Sequence, residues 1–421
     1  MHDLRVERTV APGRCWNAPH PIDVSVSRLG AYCTAKSAMT NCDVAIVGAG
    51  PAGSSAAIAL ARRGYDIVLV DKQQFPREKL CGDFINPINW PVFENLSVAE
   101  RVLAQPHSEV SGFRMTAYSG EAAETSFKSA PQRRAIGLGL RRALLDQVLV
   151  ERAAELGVSI RLGSRVEGLI KTERAWRVAL GTEEILRAKL IIGADGRNSW
   201  IAQQLGMNTS SSTHGRSIGF QTRLRAPGAA QGKIEIHLFP GGYAGLVALG
   251  DGTVSLGLAV DRATLPRARI DDFLFTECLP QNPHLRIILS RSERVAELRS
   301  AYPVYFSRRR CYADGVVLAG DAAGVSEPIS GEGVFFAMQS GLLAAETLDQ
   351  ALRSGEVAAD YLRRYEQACA RAFRRRFILN SLLRMAIYRP SLLTPLIRLS
   401  EKNSRILSSL VDRVCQPQAV G

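Results

Sequence analysis

The stretch DVAIVGAGPAGSSAAIALARRGYDIVLVD, residues 43–71, decides the fold. An apolar run at 44–47 is followed by the glycine-rich turn 48–53, by helical apolar spacing through 54–63 and by a second apolar run at 67–70. This order predicts a strand, a helix and a second strand that lies parallel to the first. It therefore indicates an α/β protein with a parallel, Rossmann-like sheet.

The turn has the glycine spacing of a dinucleotide-binding motif. Gly48 permits the tight turn, Gly50 lets the backbone approach a pyrophosphate, and Gly53 lets the helix pack close to the strand. The N–H groups at the helix start favour phosphate oxygens. An acidic residue is expected about 20 residues further on to bind ribose hydroxyls, and Asp71 stands there. These features predict a dinucleotide cofactor and do not separate FAD from NAD.

Two later turns also place a carboxylate at the end of an apolar run. These are Asp195-Gly196 and Gly320-Asp321. A carboxylate in such a turn can accept hydrogen bonds from sugar or ribityl hydroxyls. Further on, the segment PISGEG at 328–333 opens a helix, whose N-terminus favours negative charge such as that of a reduced flavin.

Composition narrows the range of partners. The 421 residues carry a formal net charge of +13, much of it in arginine clusters. No zinc-finger or RNA-binding signature accompanies this charge, so we expect no nucleic-acid partner. The eight cysteines form no Cys-x-x-Cys pair, so we expect neither a metal site nor a disulfide framework. No apolar run reaches about 18 residues, so we expect no transmembrane helix and a cytoplasmic protein.

Together the motifs resemble the glutathione-reductase-type flavoproteins of the geranylgeranyl reductase and aromatic hydroxylase superfamily, over about residues 42–400. The resemblance implies FAD as cofactor. No second dinucleotide motif is visible, so NAD(P)H or another electron donor is expected to bind transiently. The pattern Arg-x-x-Leu-Asp at 142–146 implies an arginine contact and leaves open which of two neighbours makes it. The residues expected to bind FAD are Gly48, Gly50, Pro51, Ala52, Gly53, Asp71, Lys72, Cys81, Gly82, Arg141 or Arg142, Asp195, Gly196, Gly320, Asp321, Pro328, Gly331 and Gly333.

The division of the chain follows from a change in periodicity. From about 215 to 305 the apolar positions alternate, and the Asp251-Gly252 turn predicts a hairpin. The parallel pattern returns at 316–319, and the tail from 361 to 415 has helical spacing with interruptions near Pro390 and Pro395. We predict an extension that is disordered or results from a translation start assigned too far upstream (1–38), a split FAD-binding domain (39–110, 135–210 and 306–355), an inserted antiparallel β-sheet substrate domain (111–134 and 211–305) and C-terminal helices (356–421).

Several details distinguish members of the superfamily. Hydroxylases usually have His where this chain has Gly324, and Gln or Met where it has Glu332. The segment FPREKLCG at 75–82 also resembles the reductases. The chain departs from their pattern after Tyr243, where a Trp is common and Gly245 stands instead, which weakens the case for a prenyl substrate. The Trp-x-Trp-x-Ile-Pro motif of flavin halogenases is absent from the sequence.

Two residues are candidates for a catalytic role. Cys81 either contacts the substrate or flavin, or fills a close turn as a small residue. Glu332 either donates a proton or caps the start of a helix, where an acid is favoured. For Glu332 we predict the cap.

The leading functional prediction is an FAD-dependent oxidoreductase that acts on a hydrophobic small molecule and reduces carbon–carbon double bonds, as geranylgeranyl reductases do. The alternative is an NAD(P)H-dependent flavin monooxygenase of specialised metabolism. A third reading is a flavin-binding membrane-surface protein without turnover. It rests on the basic, partly amphipathic tail at 373–414, which also predicts peripheral membrane contact through the C-terminal region. The oligomeric state is left open.

Overall fold

The structure is a computed structural model that describes residues 39–128, 134–208, 216–325 and 328–415. The expected N-terminal extension, 1–38, lies outside these residues. The strands, in chain order, are β1 (Met39–Val47), β2 (Ile67–Asp71), β3 (Phe84–Ile85), β4 (Ser108–Val110), β5 (Gly112–Thr116), β6 (Ala122–Ser126), β7 (Gly137–Gly139), β8 (Ser159–Leu162), β9 (Val166–Lys171), β10 (Trp176–Leu180), β11 (Ile185–Gly193), β12 (Ser217–Arg225), β13 (Lys233–Phe239), β14 (Gly242–Ala248), β15 (Val254–Asp261), β16 (Glu293–Arg294), β17 (Arg299–Ala301), β18 (Tyr312–Ala313) and β19 (Val316–Leu318).

Helices flank these strands and form the C-terminal region. The α-helices are α1 (Pro51–Ala61), α2 (Trp90–Leu96), α3 (Ala99–Leu103), α4 (Arg142–Glu155), α5 (Trp200–Gln204), α6 (Ile270–Phe273), α7 (Pro283–Ser290), α8 (Gly333–Ser354), α9 (Ala359–Ile387), α10 (Pro390–Lys402) and α11 (Ser404–Cys415). No helix in the described ranges combines the length and the apolar character that crossing a bilayer requires.

The first sheet is the parallel one that the opening stretch predicts. Its parallel neighbours are β19, β11, β1, β2 and β8, in that order, with β18 antiparallel to β19 and β10 antiparallel to both β11 and β9. Every residue of β2 is buried, as expected for a strand covered on both faces. Helix α1 packs against α4 and α8. The sheet and its helices confirm the predicted α/β fold.

A glycine on α8 explains how closely this helix approaches α1. A Cβ atom at Gly341 would lie 2.2 Å from the carbonyl oxygen of Ala52. Glycine at this position therefore lets α8 lie directly against the N-terminal turn of α1, which follows the glycine-rich turn.

The second sheet is mostly antiparallel and has the order β16, β12, β15, β14, β13, β5, β6, with β17 also paired to β12. The Asp251-Gly252 turn joins β14 to β15, which confirms the predicted hairpin. The pair β13–β5 is parallel, and β5 comes from an earlier part of the chain. The exact domain limits stay a prediction.

Two parts of the chain before the C-terminal helices differ from the sequence-based expectation. Residues 72–135, whose several prolines predict a loop-rich stretch, contain α2, α3 and the strands β3 to β6, and β3 and β4 pair with β7, which follows at 137–139. The antiparallel region contains α6 and α7, and Asn282 caps α7 by accepting hydrogen bonds from the N–H groups of His284 and Leu285. An Asn-Pro pair therefore begins a helix where we expected strands.

The C-terminal helices confirm one of the two expected interruptions. Helix α9 ends at Ile387 and α10 begins at Pro390, so the chain breaks there as predicted. The interruption at Pro395 is wrong, because this proline lies inside α10. Near the start of a helix a proline removes one intrahelical hydrogen bond, and α10 continues to Lys402. Helices α10 and α11 pack on β6, so they cover an edge of the second sheet.

Candidate cofactor and substrate site

One cavity of about 1430 Å³ lies between the turns that end the first sheet and one face of the second sheet. This volume exceeds the ~300–1,000 Å³ of a typical ligand site, so it accommodates a large cofactor together with a second molecule. Its wall is polar near the glycine-rich turn and apolar near the second sheet. Of the predicted residues, those that line it are Gly48, Gly50, Pro51, Ala52, Asp71, Lys72, Cys81, Gly82, Arg142, Asp195, Gly196, Gly320, Asp321, Pro328, Gly331 and Gly333.

The glycine-rich turn has the geometry of a phosphate cradle. Gly48 has φ +107°, and a Cβ there would lie 2.2 Å from the carbonyl oxygen of Ala194. A Cβ at Gly53 would lie 1.9 Å from the carbonyl oxygen of Gly48, so Gly53 serves the packing of the turn outside the cavity wall. At Gly50, by contrast, a Cβ would meet only the guanidinium of Arg77, at 3.2 Å. The space beside Gly50 therefore fits a pyrophosphate.

Asp71 holds the turn in place from the end of β2. Its Oδ2 accepts a hydrogen bond from the N–H of Ala49 at 2.9 Å, and its Oδ1 accepts one from the N–H of Gln73 at 2.9 Å. A carboxylate has about four lone-pair sites, so it keeps capacity for the ribose hydroxyls of a nucleotide. The carboxylate thus supports the turn and also faces the cavity.

Arg77 is a candidate contact that the sequence reading missed. Its guanidinium lines the cavity beside Gly50, 3.7 Å from Asp71 and 3.3 Å from Asp146. Its Nε is buried and has no hydrogen-bond partner among the described residues. An arginine with an unused donor beside a phosphate cradle suits an anionic ligand. The sequence feature that could have identified Arg77 as a contact is its place in the FPREKLCG segment at 75–82.

The two neighbouring arginines at the start of α4 have different surroundings. Arg142 is buried, lines the cavity and pairs with both carboxylate oxygens of Asp146, at 2.9 and 3.1 Å. Arg141 lies outside the cavity wall and forms an ion pair with Glu78. The geometry therefore favours Arg142 as the arginine that faces a cofactor.

The two acidic turns follow the neighbouring parallel strands β11 and β19 and line the polar end of the cavity. Asp195 accepts a hydrogen bond from the N–H of Ile201, whereas its buried Oδ1 has no partner among the described residues, and burial raises its pKa. Asp321 lies 3.9 Å from both Lys79 and Arg197, and burial lowers the pKa of Lys79. The unused acceptor on Asp195 fits a ligand that brings hydroxyl donors.

The Cys81–Gly82 stretch lies in the cavity wall against the second sheet, where the N–H of Cys81 donates to Gln221 on β12. Both residues line the cavity, and a Cβ at Gly82 would meet nothing within 4 Å. Burial raises the pKa of the Cys81 thiol, so the thiol is protonated at neutral pH. Beyond this stretch the second sheet contributes the apolar side chains Phe113, Met115, Phe127, Ile234, Ile236 and Tyr243.

The C-terminal helices complete the apolar end. Leu383 of α9 and Leu410, Val411 and Val414 of α11 also line the cavity. This part of the wall is suited to a hydrophobic ligand, because burying apolar surface there is favourable at about 25 cal/mol per Å².

The side chain of Glu332 makes neither of the two contacts that its predicted roles require. It is 1% exposed, and its carboxylate pairs with Arg376 and accepts a hydrogen bond from Asn380 at 3.0 Å, outside the cavity wall. Burial raises its pKa. It stands at the N-cap position of α8, but its side chain makes no capping hydrogen bond. The predicted cap is therefore wrong, because the buried Arg376 is the stronger partner for the carboxylate.

The described residues offer no metal site. No group of three His, Cys, Asp or Glu side chains within them is arranged to hold a metal ion. Their cysteines, Cys42, Cys81, Cys278, Cys311, Cys369 and Cys415, are free thiols.

Comparison with known sequences agrees with this site. A family described as FAD binding domain matches residues 41–377. The digeranylgeranylglycerophospholipid reductase of Methanothrix thermoacetophila is 30% identical over 340 residues, which cover 77% of this chain and 82% of the relative. The reductase of the same name from Methanosarcina acetivorans is 28% identical over 338 residues, with 76% and 78% covered.

Solved structures share the fold. A flavoprotein/dehydrogenase from Cytophaga hutchinsonii has a TM-score of 0.76 at 20% identity, with 88% of this chain and 92% of that one covered. The flavin-dependent halogenase CmlS has a TM-score of 0.74 at 22% identity, with 90% and 68% covered. A geranylgeranyl bacteriochlorophyll reductase-like protein from Thermoplasma acidophilum has a TM-score of 0.69 at 22% identity, with 90% and 92% covered. The chain therefore belongs to the FAD binding domain family and is an FAD-dependent oxidoreductase.

Proposed function

We propose that this protein reduces carbon–carbon double bonds in a hydrophobic, isoprenoid-type substrate, with FAD as cofactor. The observation that carries the proposal is the cavity itself, whose polar end has a phosphate cradle and whose other end is apolar. The relatives at 28–30% identity are named as reductases of a geranylgeranyl lipid. FAD, when bound, supplies the hydride.

The residues of the chain would bind, orient and shield the reactants. The turn at Gly50, with Arg77, would hold the pyrophosphate. Asp71, Asp195 and Asp321 would accept hydrogen bonds from the hydroxyls of the cofactor. The apolar wall would exclude water from the substrate, which prevents side reactions of a reduced cofactor. NAD(P)H or another electron donor would bind transiently and supply the electrons for the next reaction.

Gly245 supports a proposal about the shape of the substrate. It pairs with Gly257 across β14 and β15, and both residues line the cavity. A Cβ at Gly257 would lie 3.5 Å from the Cα of Gly82. Gly257 lets the sheet approach the Cys81–Gly82 stretch closely, and Gly245, at the position where related reductases commonly have a Trp, puts no bulky side chain into the cavity. We therefore propose a substrate that is bulky near the reacting bond.

Product mass decides between reduction and oxygenation. The FAD-loaded enzyme is incubated with NAD(P)H and a geranylgeranyl lipid, with and without oxygen. A gain of two hydrogens per double bond in both atmospheres is the expected result. A gain of one oxygen that requires air would contradict reduction and support the monooxygenase alternative. If no member of a panel of isoprenoid substrates reoxidises the reduced, bound FAD, the result would favour a flavin-binding protein without turnover.

We also propose that the protein contacts a membrane surface through α9. Positions three or four residues apart form one stripe along a helix. On α9 this stripe has an apolar middle, where Ile378, Leu382 and Met385 are 55%, 54% and 49% exposed. Exposed arginines stand at both ends, a pattern typical of helices that lie on anionic lipid. The stripe on α9 consists of Arg371, Arg375, Ile378, Leu382 and Met385, and the exposed Arg389 follows two residues after the helix ends.

The position of the stripe connects the membrane to the cavity. Leu382 belongs to the exposed stripe, whereas its neighbour Leu383 lines the apolar end of the cavity. A hydrophobic substrate dissolved in a bilayer would then reach the cavity beside α9 without crossing water.

Vesicle flotation tests this contact. The holoenzyme should float with vesicles that contain anionic lipid, less so with neutral vesicles, and less at high salt, because salt screens the arginines. Leu382→Asp should abolish flotation. Ile287→Asp is the matched control, because Ile287 is 54% exposed on α7. Equal flotation of both variants would contradict the proposal. If the wild type forms a concentration-dependent dimer that Leu382→Asp does not form, the stripe contacts a second copy of the chain instead of a membrane.

A further inference from the structure

Asp83 is a buried carboxylate beside the cavity wall that the proposed chemistry does not use. It stands between Gly82 and Phe84, both of which line the cavity, and is itself 5% exposed. Its φ of +56° lies in the left-handed region, which is uncommon for residues other than glycine and persists only when the surroundings hold it. Its hydrogen bonds show what holds it.

Three elements donate hydrogen bonds to the Asp83 carboxylate. The N–H of Arg142, the first residue of α4, donates to Oδ1 at 3.0 Å. Gln221 Nε2 on β12 and Ser255 Oγ on β15 donate to Oδ2, at 2.7 and 2.9 Å. Asp83 therefore connects the start of α4 to two strands of the second sheet.

Gln221 extends this network to the cavity wall. Its Oε1 accepts a hydrogen bond from the N–H of Cys81 at 3.1 Å. An ionised carboxylate only accepts hydrogen bonds, so the NH₂ of Gln221 must face Asp83. Its oxygen is then turned towards Cys81. The charge on Asp83 thus sets the orientation of the Gln221 amide.

We propose that Asp83 is a positioning residue that acts through Gln221 to hold the Cys81–Gly82 stretch where it meets the flavin and the substrate. The inference rests on the proposed use of this cavity by FAD, but it does not depend on which substrate is reduced. Loss of the network would move the Cys81–Gly82 stretch and leave the phosphate cradle at Gly50 unchanged.

The network also has an expected pH dependence. Burial raises the pKa of Asp83 to about 6, against the opposing effect of its hydrogen-bond donors and of Arg142. Glu78, in the preceding loop, raises it further, while the neighbouring Cys81 thiol stays protonated because burial raises its pKa. Strands β12 and β15 contribute Gln221 and Ser255, which do not titrate. As the pH falls through about 6, Asp83 gains a proton and ceases to be a pure acceptor.

The first test exchanges the hydrogen-bond donor and acceptor roles of Asp83 and Gln221. In Asp83→Asn only one of the two carboxylate oxygens remains, so the new NH₂ meets either the N–H of Arg142 or the NH₂ of Gln221, and the network loses at least one of its three hydrogen bonds. We expect shifted visible absorption bands of bound FAD and a kcat lower by about 10-fold. The double variant Asp83→Asn/Gln221→Glu provides a carboxylate that accepts from both the introduced amide and the Cys81 N–H, at an unchanged formal charge. It should recover the spectrum and most of kcat.

The pH series provides a second readout. The FAD absorption of the wild type should change with a midpoint near pH 6, and this change should be absent from Asp83→Asn. Asp272→Asn, which removes an exposed carboxylate on α6, is the matched control.

Two outcomes would overturn the proposal. One is an Asp83→Asn enzyme whose flavin spectrum and kcat equal those of the wild type. The other is a folded double variant that recovers nothing. If Asp83→Asn does not fold, Gln221→Met decides, because it removes the link to Cys81 and leaves Asp83 with its Arg142 and Ser255 donors. Gln221→Met must then shift the flavin spectrum, and an unchanged spectrum rejects the inference.

Discussion

At the scale of single residues, the glycine-rich turn uses the same residue type for two different purposes. Gly53 has no room for a side chain, since the carbonyl oxygen of Gly48 would lie 1.9 Å from its Cβ. Gly50 has room on the protein side, because a Cβ there would meet only the mobile end of Arg77. Packing therefore requires glycine at one position, and ligand approach favours it at the other.

This difference predicts two separable phenotypes. Gly50→Ala should leave the apoprotein as stable as the wild type but weaken FAD binding by at least about 10-fold, because the methyl group occupies the space beside the pyrophosphate. Gly53→Ala should lower the free energy of unfolding of the apoprotein itself. Urea unfolding of apoprotein and FAD titration by fluorescence measure the two effects. Normal FAD affinity in Gly50→Ala would exclude a pyrophosphate at this turn.

A second residue-scale prediction concerns the Glu332–Arg376 pair. Arg376→Met leaves a buried carboxylate without its cation, so we expect a loss of about 3–5 kcal/mol in the free energy of unfolding. The double variant Glu332→Met/Arg376→Met should be more stable than the single one, since both charges are gone. Arg375→Met is the control, because Arg375 is exposed. A single variant as stable as this control would show that the pair does not hold α8 to α9.

At the scale of elements, β14 and β15 shape the substrate end of the cavity through Gly245 and Gly257. Gly245→Trp fills this space with the residue that related reductases commonly have there. We expect KM for a bulky isoprenoid substrate to rise by about 10-fold or more, because overpacking a formed site is unfavourable, while FAD binding stays unchanged. Ile287→Trp, at an exposed position of α7, is a control outside the cavity. An unchanged KM would place the substrate elsewhere.

Elements also show what the sequence could predict and what it could not. The turn at Gly48, the acidic turns and the β14–β15 hairpin depend on residues that are near each other along the chain, so local spacing was sufficient. Asp83 was missed because its partner Gln221 is 138 positions away. The cap at Glu332 was wrong for the same reason, since Arg376 is 44 positions away. Contacts of this range depend on tertiary packing, and no local periodicity reveals them.

At the scale of the whole molecule, the cavity wall comes from both large sheets, so a bound cofactor should couple them. FAD at about 100-fold its Kd should raise the free energy of unfolding by about 2.7 kcal/mol. A single urea transition, shifted as a whole, is the expected result when intrinsic fluorescence and far-UV circular dichroism are compared. Two transitions of which FAD moves only one would show that the cofactor is held by one sheet alone.

The order in which the cavity wall is made has a consequence for biosynthesis. Asp71 and the phosphate cradle are made early, but Asp321, on the opposite side of the polar end, follows about 250 residues later. At about 5–20 residues per second, a ribosome needs roughly 12–50 s to span that gap. From the time β11 is complete until β19 is made, β11 lacks this neighbour, and the nascent chain exposes an apolar strand edge. We therefore expect cofactor capture to be a late event, and we expect this edge to need protection most while residues 194–315 are synthesised.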